Sequence, residues 1–246
     1  KAENFETALQ DYEYVVERNP NNFSERALLR SSYMYYKNED FAMAVERYAE
    51  LERIAQFPAN LLTARIGLMR ANFKLAKYDQ ALKYADLVRG SDKVEKEVVE
   101  EARIIIAKSA FEEKDVTRAK TELQWVEKNA KNVFKAEAKY YLALMAFEEG
   151  KYEDSQAKIF ELLKELPSYK YWGNRALILL AKNYWKLEDV FQATYTLEQV
   201  IQRVENPEVK EEAEALLLQI EAYQLEQETL NETDTIQLDS VNTNGQ

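Results

Sequence analysis

Carboxylates are the side chains in this sequence best suited to acid–base chemistry, and three pairs of them stand next to each other. The pairs are Glu112-Glu113, Glu148-Glu149 and Glu211-Glu212. Catalysis by two carboxylic acids needs both groups to face one desolvated cleft. Adjacent residues on a helix point in different directions, so we expect each pair on a solvated helix surface. These pairs therefore do not predict an active site.

The other residue types that usually carry catalysis are missing from the sequence. The 246 residues include no cysteine and no histidine. Thiolate and imidazole metal sites are thereby excluded, as are Ser-His-Asp and Cys-His nucleophiles. The sequence also contains no Gly-rich phosphate loop and no metal-ligand spacing. We therefore predict that the protein is not an enzyme and needs no cofactor.

Charge is unevenly distributed along the chain. The formal net charge is -11, and residues 205–246 hold eleven acids and one base, so the rest is nearly balanced. A nucleic-acid surface needs an excess of basic residues, so we predict no nucleic-acid binding. No apolar run approaches the ~18 residues that span a bilayer, so no direct membrane insertion is expected.

Six small residues recur at intervals of 36 to 38 residues, and we call them the anchors: Ala8, Ala44, Ala81, Ala119, Ser155 and Ala193. A large apolar residue stands three positions before each anchor and an aliphatic residue seven positions after it. This pattern predicts pairs of helices that approach closely where the small residues lie. One pair cannot cover its own apolar face, so successive pairs are expected to stack.

The repeat resembles the tetratricopeptide repeat family. The best match runs from Tyr140 to Pro167 and includes Gly150, Tyr152 and Leu162. The resemblance covers roughly residues 1–227 and implies an all-α fold, an α-α superhelix of antiparallel helix pairs. The period is two to four residues longer than the usual ~34, and Ser155 replaces the usual Ala.

Two alternatives concern what kind of solenoid this is and where it works. A HEAT-like array has a longer unit and a different proline position, so it fits less well. The lengthened period is similar to that of bacterial cell-envelope members of the family. This similarity favours a bacterial protein of the periplasm or envelope, and the cytoplasm stays open as a second compartment.

The repeat divides the chain into expected segments. Residues 1–20 match the second helix of one repeat, five helix pairs follow at about 23–206, and an amphipathic helix at about 208–227 caps the stack. The polar segment 228–246 is expected to be disordered. Because the first helix of the first repeat is missing, we interpret the chain as a fragment of a larger multi-repeat protein.

The family resemblance also indicates a binding surface, because the first helices of tetratricopeptide repeats line a concave groove. The residues eight positions before the anchors are all aromatic: Tyr36, Phe73, Phe111, Phe147 and Trp185. Those eleven positions before are mostly basic: Tyr33, Arg70, Lys108, Leu144 and Lys182. Eight and eleven differ by three, so the two sets share one helix face.

An aromatic stripe beside a basic one suits a protein or peptide partner, and Arg and Lys favour an acidic or C-terminal peptide. Arg26 and Arg30 lie in the region where the family grips terminal carboxylates. The Asn used in that grip is absent, since Tyr33, Arg70 and Lys108 stand at the matching positions. The competing interpretation is that the aromatics serve packing and the bases are ordinary solvated residues.

Two functions follow from this pattern. The first is a protein-interaction scaffold that binds a peptide or partner helix in the concave groove. The second is a structural spacer or oligomerisation module that uses the exposed N-terminal helix face around Tyr12 and Val15, without a groove ligand. The sequence leaves the oligomeric state and the identity of the partner open.

Overall fold

The computed structural model describes residues 2–18 and 23–243, with the side chains of 5–18, 23–227 and 229. Within these ranges the chain forms twelve α-helices and no strand. The helices are α1 Ala2–Val16, α2 Ser24–Lys37, α3 Phe41–Ile54, α4 Pro58–Lys74, α5 Tyr78–Arg89, α6 Lys96–Glu112, α7 Val116–Asn129, α8 Val133–Glu148, α9 Tyr152–Glu165, α10 Lys170–Lys186, α11 Val190–Arg203 and α12 Pro207–Thr243. The expected all-α class is confirmed.

The chain consists of two compact units, and we describe each by itself. Unit 1 is Lys1–Ala138 and unit 2 is Lys139–Gln246, so their boundary falls inside α8. In unit 1 each helix from α1 to α7 packs on the next, and in unit 2 the same holds from α9 to α12. The first helices of neighbouring repeats also touch, in the pairs α2–α4, α4–α6 and α10–α12.

The anchors lie where the helices approach most closely. Ala44, Ala81, Ala119, Ser155 and Ala193 are fully buried. The positions twelve before them are fully buried as well: Ser32, Met69, Ala107, Ala143 and Ala181. Small side chains at these sites allow close approach, and the aliphatic residues seven after each anchor fill the space between the helices. The packing predicted from the spacing is therefore present.

Ser155, the one anchor that is not alanine, has a hydrogen-bonding role. Its Oγ accepts a hydrogen bond from Asn183 Nδ2 at 3.0 Å, and Asn183 also donates to the Leu179 carbonyl at 2.8 Å. Both Ser155 and Asn183 are fully buried. A buried amide needs such partners, so the departure from the family pattern at Ser155 is matched by Asn183 on α10.

The two helices of every repeat are joined by the same turn. A residue with left-handed backbone stands five positions before each anchor: Glu39 (φ 62°), Ala76 (φ 54°), Lys114 (φ 65°), Gly150 (φ 73°) and Glu188 (φ 64°). The next residue donates its N–H back into the first helix, as Asp40 does to the Tyr35 carbonyl at 3.0 Å. Only glycine adopts this conformation without strain, so four of the five turns carry a strained residue.

The second helices begin with two kinds of N-cap. Asp40, Asp115 and Asp189 each accept a hydrogen bond from a backbone N–H of the first turn, at 3.0–3.1 Å. Lys77 and Lys151 occupy the same position in α5 and α9 and form no side-chain cap. An Asp cap satisfies one of the orphan N–H groups of a helix start, so three of the five second helices have this extra stabilisation.

The prolines lie at helix starts as well as after a helix end. Pro58 and Pro207 are the first residues of α4 and α12. Proline suits the first helical position because the N–H that it lacks would have no intrahelical partner there. Pro167 does follow the end of α9, and Pro20 lies outside the described residues.

The C-terminal helix is longer than the expected capping helix at 208–227. It continues to Thr243, through most of the segment expected to be disordered, and residues 244–246 lie outside the described range. No Pro or Gly interrupts residues 208–244, and Leu, Glu and Gln in this stretch are good helix formers. The helix continues over 228–243 although Thr, Asn, Asp and Ser, which are weaker helix formers, make up more than half of this stretch.

The inner side of α1 is covered by unit 1 itself. Tyr12 and Val15, the residues expected on an exposed oligomerisation face, pack against the core of unit 1 that includes Val16 and Leu28. Tyr14 is the exposed aromatic of this helix. Tyr12 and Val15 are half-buried because α2 packs on α1, and an oligomerisation face at these residues stays a prediction.

Candidate functional site

The first helices of unit 1 form a surface with three adjoining depressions, and we call it the inner face of unit 1. The largest is a cavity of about 730 Å³ between α4 and the loop that leads into α6. Leu62, Ile66, Val94 and Val98 form its aliphatic part, and Asp92, Lys93 and Glu95 of the loop add charged groups at its border. Thr63 is exposed at its edge. An apolar recess of this volume suits a side chain of a partner rather than a charged group.

A second cavity of about 300 Å³ continues the first towards α2 and shares Thr63, Ile66 and Val98 with it. Tyr33 and Tyr36 of α2 and the buried Tyr48 of α3 line it from the other side. The Tyr48 ring lies directly over the backbone of Gly67, so a Cβ at Gly67 would overlap it. The sequence pattern did not point to Gly67, although this glycine is what admits the ring.

The third cavity, of about 160 Å³, lies between α4, α6 and the start of α8. Tyr36 and Arg70 connect it to the second cavity. Phe73, Lys108 and Phe134 are also part of its lining. The predicted residues Tyr33, Tyr36, Arg70, Phe73 and Lys108 are therefore brought together on one surface.

The aromatic residues eight positions before the anchors lie near the turns that join the two helices of a pair, and we call them the elbow aromatics. The Tyr36 and Phe41 rings are 5.4 Å apart, those of Phe73 and Tyr78 6.1 Å, and those of Phe147 and Tyr152 5.5 Å. Trp185 contacts Tyr223 at 6.0 Å. All five residues of the set, including Phe111, are half-buried. Each of these side chains is therefore partly packed against its neighbours and partly accessible at the surface.

The basic residues eleven before the anchors are paired with acids of the next first helix. Arg70 Nε donates to Glu101 Oε1 at 2.7 Å and Lys108 Nζ to Glu137 Oε1 at 2.8 Å, both in unit 1. In unit 2 Lys182 Nζ lies 3.4 Å from Glu212 Oε1. The sequence pattern missed these acids, which stand seven positions earlier in the repeat register than the bases they meet.

These ion pairs change the electrostatics expected of the inner face. A base held by a carboxylate at hydrogen-bond distance offers little net charge to a partner. The pair with Glu101 raises the pKa of Arg70 above its ordinary value through their hydrogen bond. Burial raises the pKa of Tyr36 and of Tyr48, so both phenols are neutral near pH 7.

Helix α2 carries a row of exposed basic residues, in addition to Lys74 and Lys93, which line the third and first cavities. Arg26, Arg30, Tyr33 and Lys37 follow one another at spacings of four, three and four, so they share one helix face. All four are exposed, and Lys37 Nζ lies 5.7 Å from the centre of the Tyr33 ring. We call this set the α2 row. No ion pair involves Arg26, Arg30 or Lys37 in the described part of the chain.

Unit 2 has a different arrangement on its first helices. Position eleven before the anchor is Leu144 on α8, and α10 carries Arg175 among the aromatic rings of Tyr140 and Tyr171. The Arg175 guanidinium also lies 3.5 Å from Glu212, so it is held by rings and a carboxylate together. Phe147, Lys182 and Trp185 lie on this unit, so these predicted site residues are separated in the fold from those on the inner face of unit 1.

Groups typical of metal binding or membrane insertion are not found in the described residues. No cluster of three or more acidic side chains there has the geometry of a metal site. None of the described helices combines the length and the apolar character of a membrane span.

Solved structures with the same arrangement of helices are repeat proteins. YrrB, described as a TPR protein with an unusual peptide-binding site, is 13% identical, with a TM-score of 0.52 over 83% of this chain and 97% of that chain. A tetratricopeptide repeat protein from Parabacteroides merdae is 14% identical, with a TM-score of 0.55 over 87% of this chain and 92% of that one. This chain has the tetratricopeptide-repeat fold.

The likeness to solved structures extends to the protein MamA, at 16% identity and a TM-score of 0.56, covering 74% of this chain and 92% of that chain. No protein-family model matches the sequence, and neither does any curated protein. Identities this low establish the tetratricopeptide-repeat fold and leave function to the side chains of this chain.

Proposed function

We propose that this chain is a protein-interaction scaffold that binds an extended peptide or a partner helix on the inner face of unit 1. The observation that carries the proposal is the continuous recess formed by the three cavities, lined by α2, α4 and α6. Peptide recognition commonly combines an apolar pocket for an anchor side chain with polar groups that fix its orientation.

The apolar end of the recess favours a partner peptide with an aliphatic or aromatic side chain that can enter it. Ile66 and Val98 line both larger cavities, and both are half-buried in the free chain. Covering their remaining apolar surface contributes about 25 cal/mol per Å². An anchor side chain in this position would add most of the binding energy.

The α2 row selects for acidic residues in the same partner. Its bases are not engaged in ion pairs of the described chain, whereas Arg70 and Lys108 are paired with Glu101 and Glu137. An acidic residue would therefore be attracted to the α2 end, with the anchor residue at Ile66 and Val98. The acidic groups of the partner would contact Arg26, Arg30 and Lys37 rather than Arg70 and Lys108.

Filling the recess should block the partner, and Thr63→Trp does this from an exposed position. Peptides are first selected on the unmodified chain from a random display library, and their affinities are then measured by fluorescence anisotropy. We expect Thr63→Trp to weaken binding at least ~10-fold, equivalent to about 1.4 kcal/mol. The weakening arises because the indole occupies the space of the anchor side chain.

Thr121→Trp is the matched control. Thr63 and Thr121 are both exposed, and each donates its hydroxyl to the carbonyl four residues earlier, at 2.9 and 2.8 Å. Thr121 lies on the second helix α7, away from the cavity linings. Equal affinity of the selected peptides for both variants would refute the binding surface.

Fewer observations support the alternative function, a spacer or oligomerisation module. Its expected contact residues Tyr12 and Val15 are packed within unit 1. We propose further that the chain has no catalytic activity, because its carboxylates lie in ion pairs or on helix surfaces. A chain without catalytic activity agrees with the proposal of a scaffold that acts through binding.

A further inference from the structure

The C-terminal helix α12 has a second apolar side, opposite the one that packs on unit 2. Its packed side consists of Val209, Ala213, Leu216 and Ile220, which are buried against α10 and α11. Its other side carries Ala215, Leu218, Ala222 and Leu225, and all four are exposed. Leu218 and Leu225 are 66% and 67% exposed, and with the two alanines they form one continuous apolar line on the helix surface.

The exposed residues follow the spacing of a coiled-coil seam. The intervals between Ala215, Leu218, Ala222 and Leu225 are three, four and three residues. This alternation keeps side chains on one line towards a partner helix, and it extends over about 15 Å of helix. We call these four residues the α12 stripe.

Acids border the stripe on both sides. Glu214 directly precedes Ala215 and Glu221 directly precedes Ala222, so both lie along one side of the stripe. Glu226 directly follows Leu225 and lies along the other side. All three are exposed. Residues 207–227 hold six acids against a single lysine, and that lysine, Lys210, lies 3.9 Å from Glu214.

We propose that the α12 stripe binds a basic amphipathic helix of another protein. The partner would place aliphatic residues against Leu218 and Leu225 and Lys or Arg against the bordering glutamates, because flanking charges decide partner choice in paired helices. A second copy of this chain would place glutamates opposite glutamates, and such like-charge contacts disfavour self-pairing.

This inference does not depend on the inner face of unit 1. The α12 stripe belongs to unit 2 and uses acids and leucines, whereas the inner face uses bases and a recess. The two surfaces would bind partners of opposite charge. A scaffold with both would join a partially acidic peptide to a basic helix.

The test uses two designed peptides with Ile and Leu at the seam positions. One has Lys at the flanking positions, and its twin has Glu there. Titration of the full chain, followed by fluorescence anisotropy, should show binding of the Lys peptide, weaker at higher salt, and none of the Glu peptide. Equal binding of both peptides would overturn the proposal.

Variants locate the binding site. Leu218→Gln with Leu225→Gln should weaken the Lys peptide at least ~10-fold. Leu87→Gln on α5, another exposed leucine, should leave it unchanged. Because the chain is acidic overall, unchanged binding to the double variant would mean general charge attraction and would refute the stripe.

Charge reversal separates the partner classes. Glu214→Lys with Glu221→Lys should lower affinity for the Lys peptide and raise it for the Glu peptide. Analytical ultracentrifugation of the unmodified chain supplies the remaining outcome. A dimer that Leu218→Gln abolishes would show that a second copy occupies the stripe, and the choice of a basic partner would then be wrong.

Discussion

Single residues in the interhelical turns carry a strain that the fold tolerates. Ala76 has φ of 54° in the turn between α4 and α5, while Gly150 has φ of 73° at the same repeat position. The left-handed conformation costs a residue with a Cβ roughly 1 kcal/mol. The five turns thus share one geometry, and only one of them uses the residue that fits it best.

Exchanging residues at this position should move stability in opposite directions. Ala76→Gly is expected to raise the free energy of unfolding by up to ~1 kcal/mol because it removes the strain. Gly150→Ala should lower it by a similar amount. Urea denaturation followed by circular dichroism measures both, and a stabilising Gly150→Ala would show that the left-handed turn is not formed.

Gly67 and Gly173 make a second matched pair, both inside first helices. A Cβ at Gly67 would overlap the Tyr48 ring, whereas one at Gly173 would lie 3.6 Å from Leu163 Cδ2, an ordinary contact. We expect Gly67→Ala to destabilise the chain by about 1–3 kcal/mol through overpacking. Gly173→Ala should stabilise it by up to ~1 kcal/mol, since alanine favours helix. Equal effects in the unfolding curves would contradict the packing of Tyr48 on α4.

The ion pair between Arg70 and Glu101 should be coupled in stability. The two side chains make a two-bond contact and are partly buried, so a double-mutant cycle with Arg70→Met and Glu101→Gln is expected to give about 0.5–1.5 kcal/mol. The control pair Lys151–Glu149 is more exposed and should give a value near zero. A coupling energy near zero between Arg70 and Glu101 would contradict the ion pair and would mean that Arg70 is available to a partner.

At the scale of helices, the sequence was informative where packing repeats. The spacing of anchors such as Ala44 and Ala193 predicted the helix pairs, because each small residue is needed where two helices meet. Tyr36, Arg70 and Phe73, which the pattern predicts on one helix face of their repeats, line the same cavity, and their role in binding stays a prediction.

The rest of the site could not be predicted because it depends on contacts between repeats. The partners Glu101 and Glu137 lie about thirty residues from their bases, and nothing in a single helix shows that they meet. Gly67 matters only through the Tyr48 ring of another helix. Residues 228–243 are polar and rich in Thr, Asn and Asp, so their composition does not predict the extension of α12 to Thr243.

The role of α12 as a cap makes a prediction about this element. Deleting residues 207–246 would expose the apolar surface of Ile178, Leu197 and Val200. Because each buried aliphatic side chain contributes about 1.5–3 kcal/mol, this deletion should lower the unfolding free energy of unit 2 by more than ~3 kcal/mol. Deleting 228–246 should have little effect on thermal unfolding, since the described contacts of α12 with unit 2 end at Tyr223. Equal losses from both deletions would show that the cap extends further.

For the molecule as a whole, packing and binding share some side chains, since Tyr36 and Phe73 contact rings within their repeats and also line the cavities of the inner face. Anchors and elbow aromatics hold the helix pairs together, and ion pairs such as Lys108–Glu137 join one repeat to the next. What is left on the inner face of unit 1 is an apolar recess beside the α2 row. The accessible side chains of a repeat fold determine its specific function, and so two proteins of this fold can bind unrelated partners.

Hydrogen exchange measured by mass spectrometry, with and without a selected peptide, tests this assignment most directly. We predict that the peptide slows exchange in α2, α4, α6 and the loop 90–95, and leaves α3, α5 and α7 unchanged. Slower exchange confined to α3, α5 and α7 would contradict the account, because the peptide would then lie on the opposite side of unit 1.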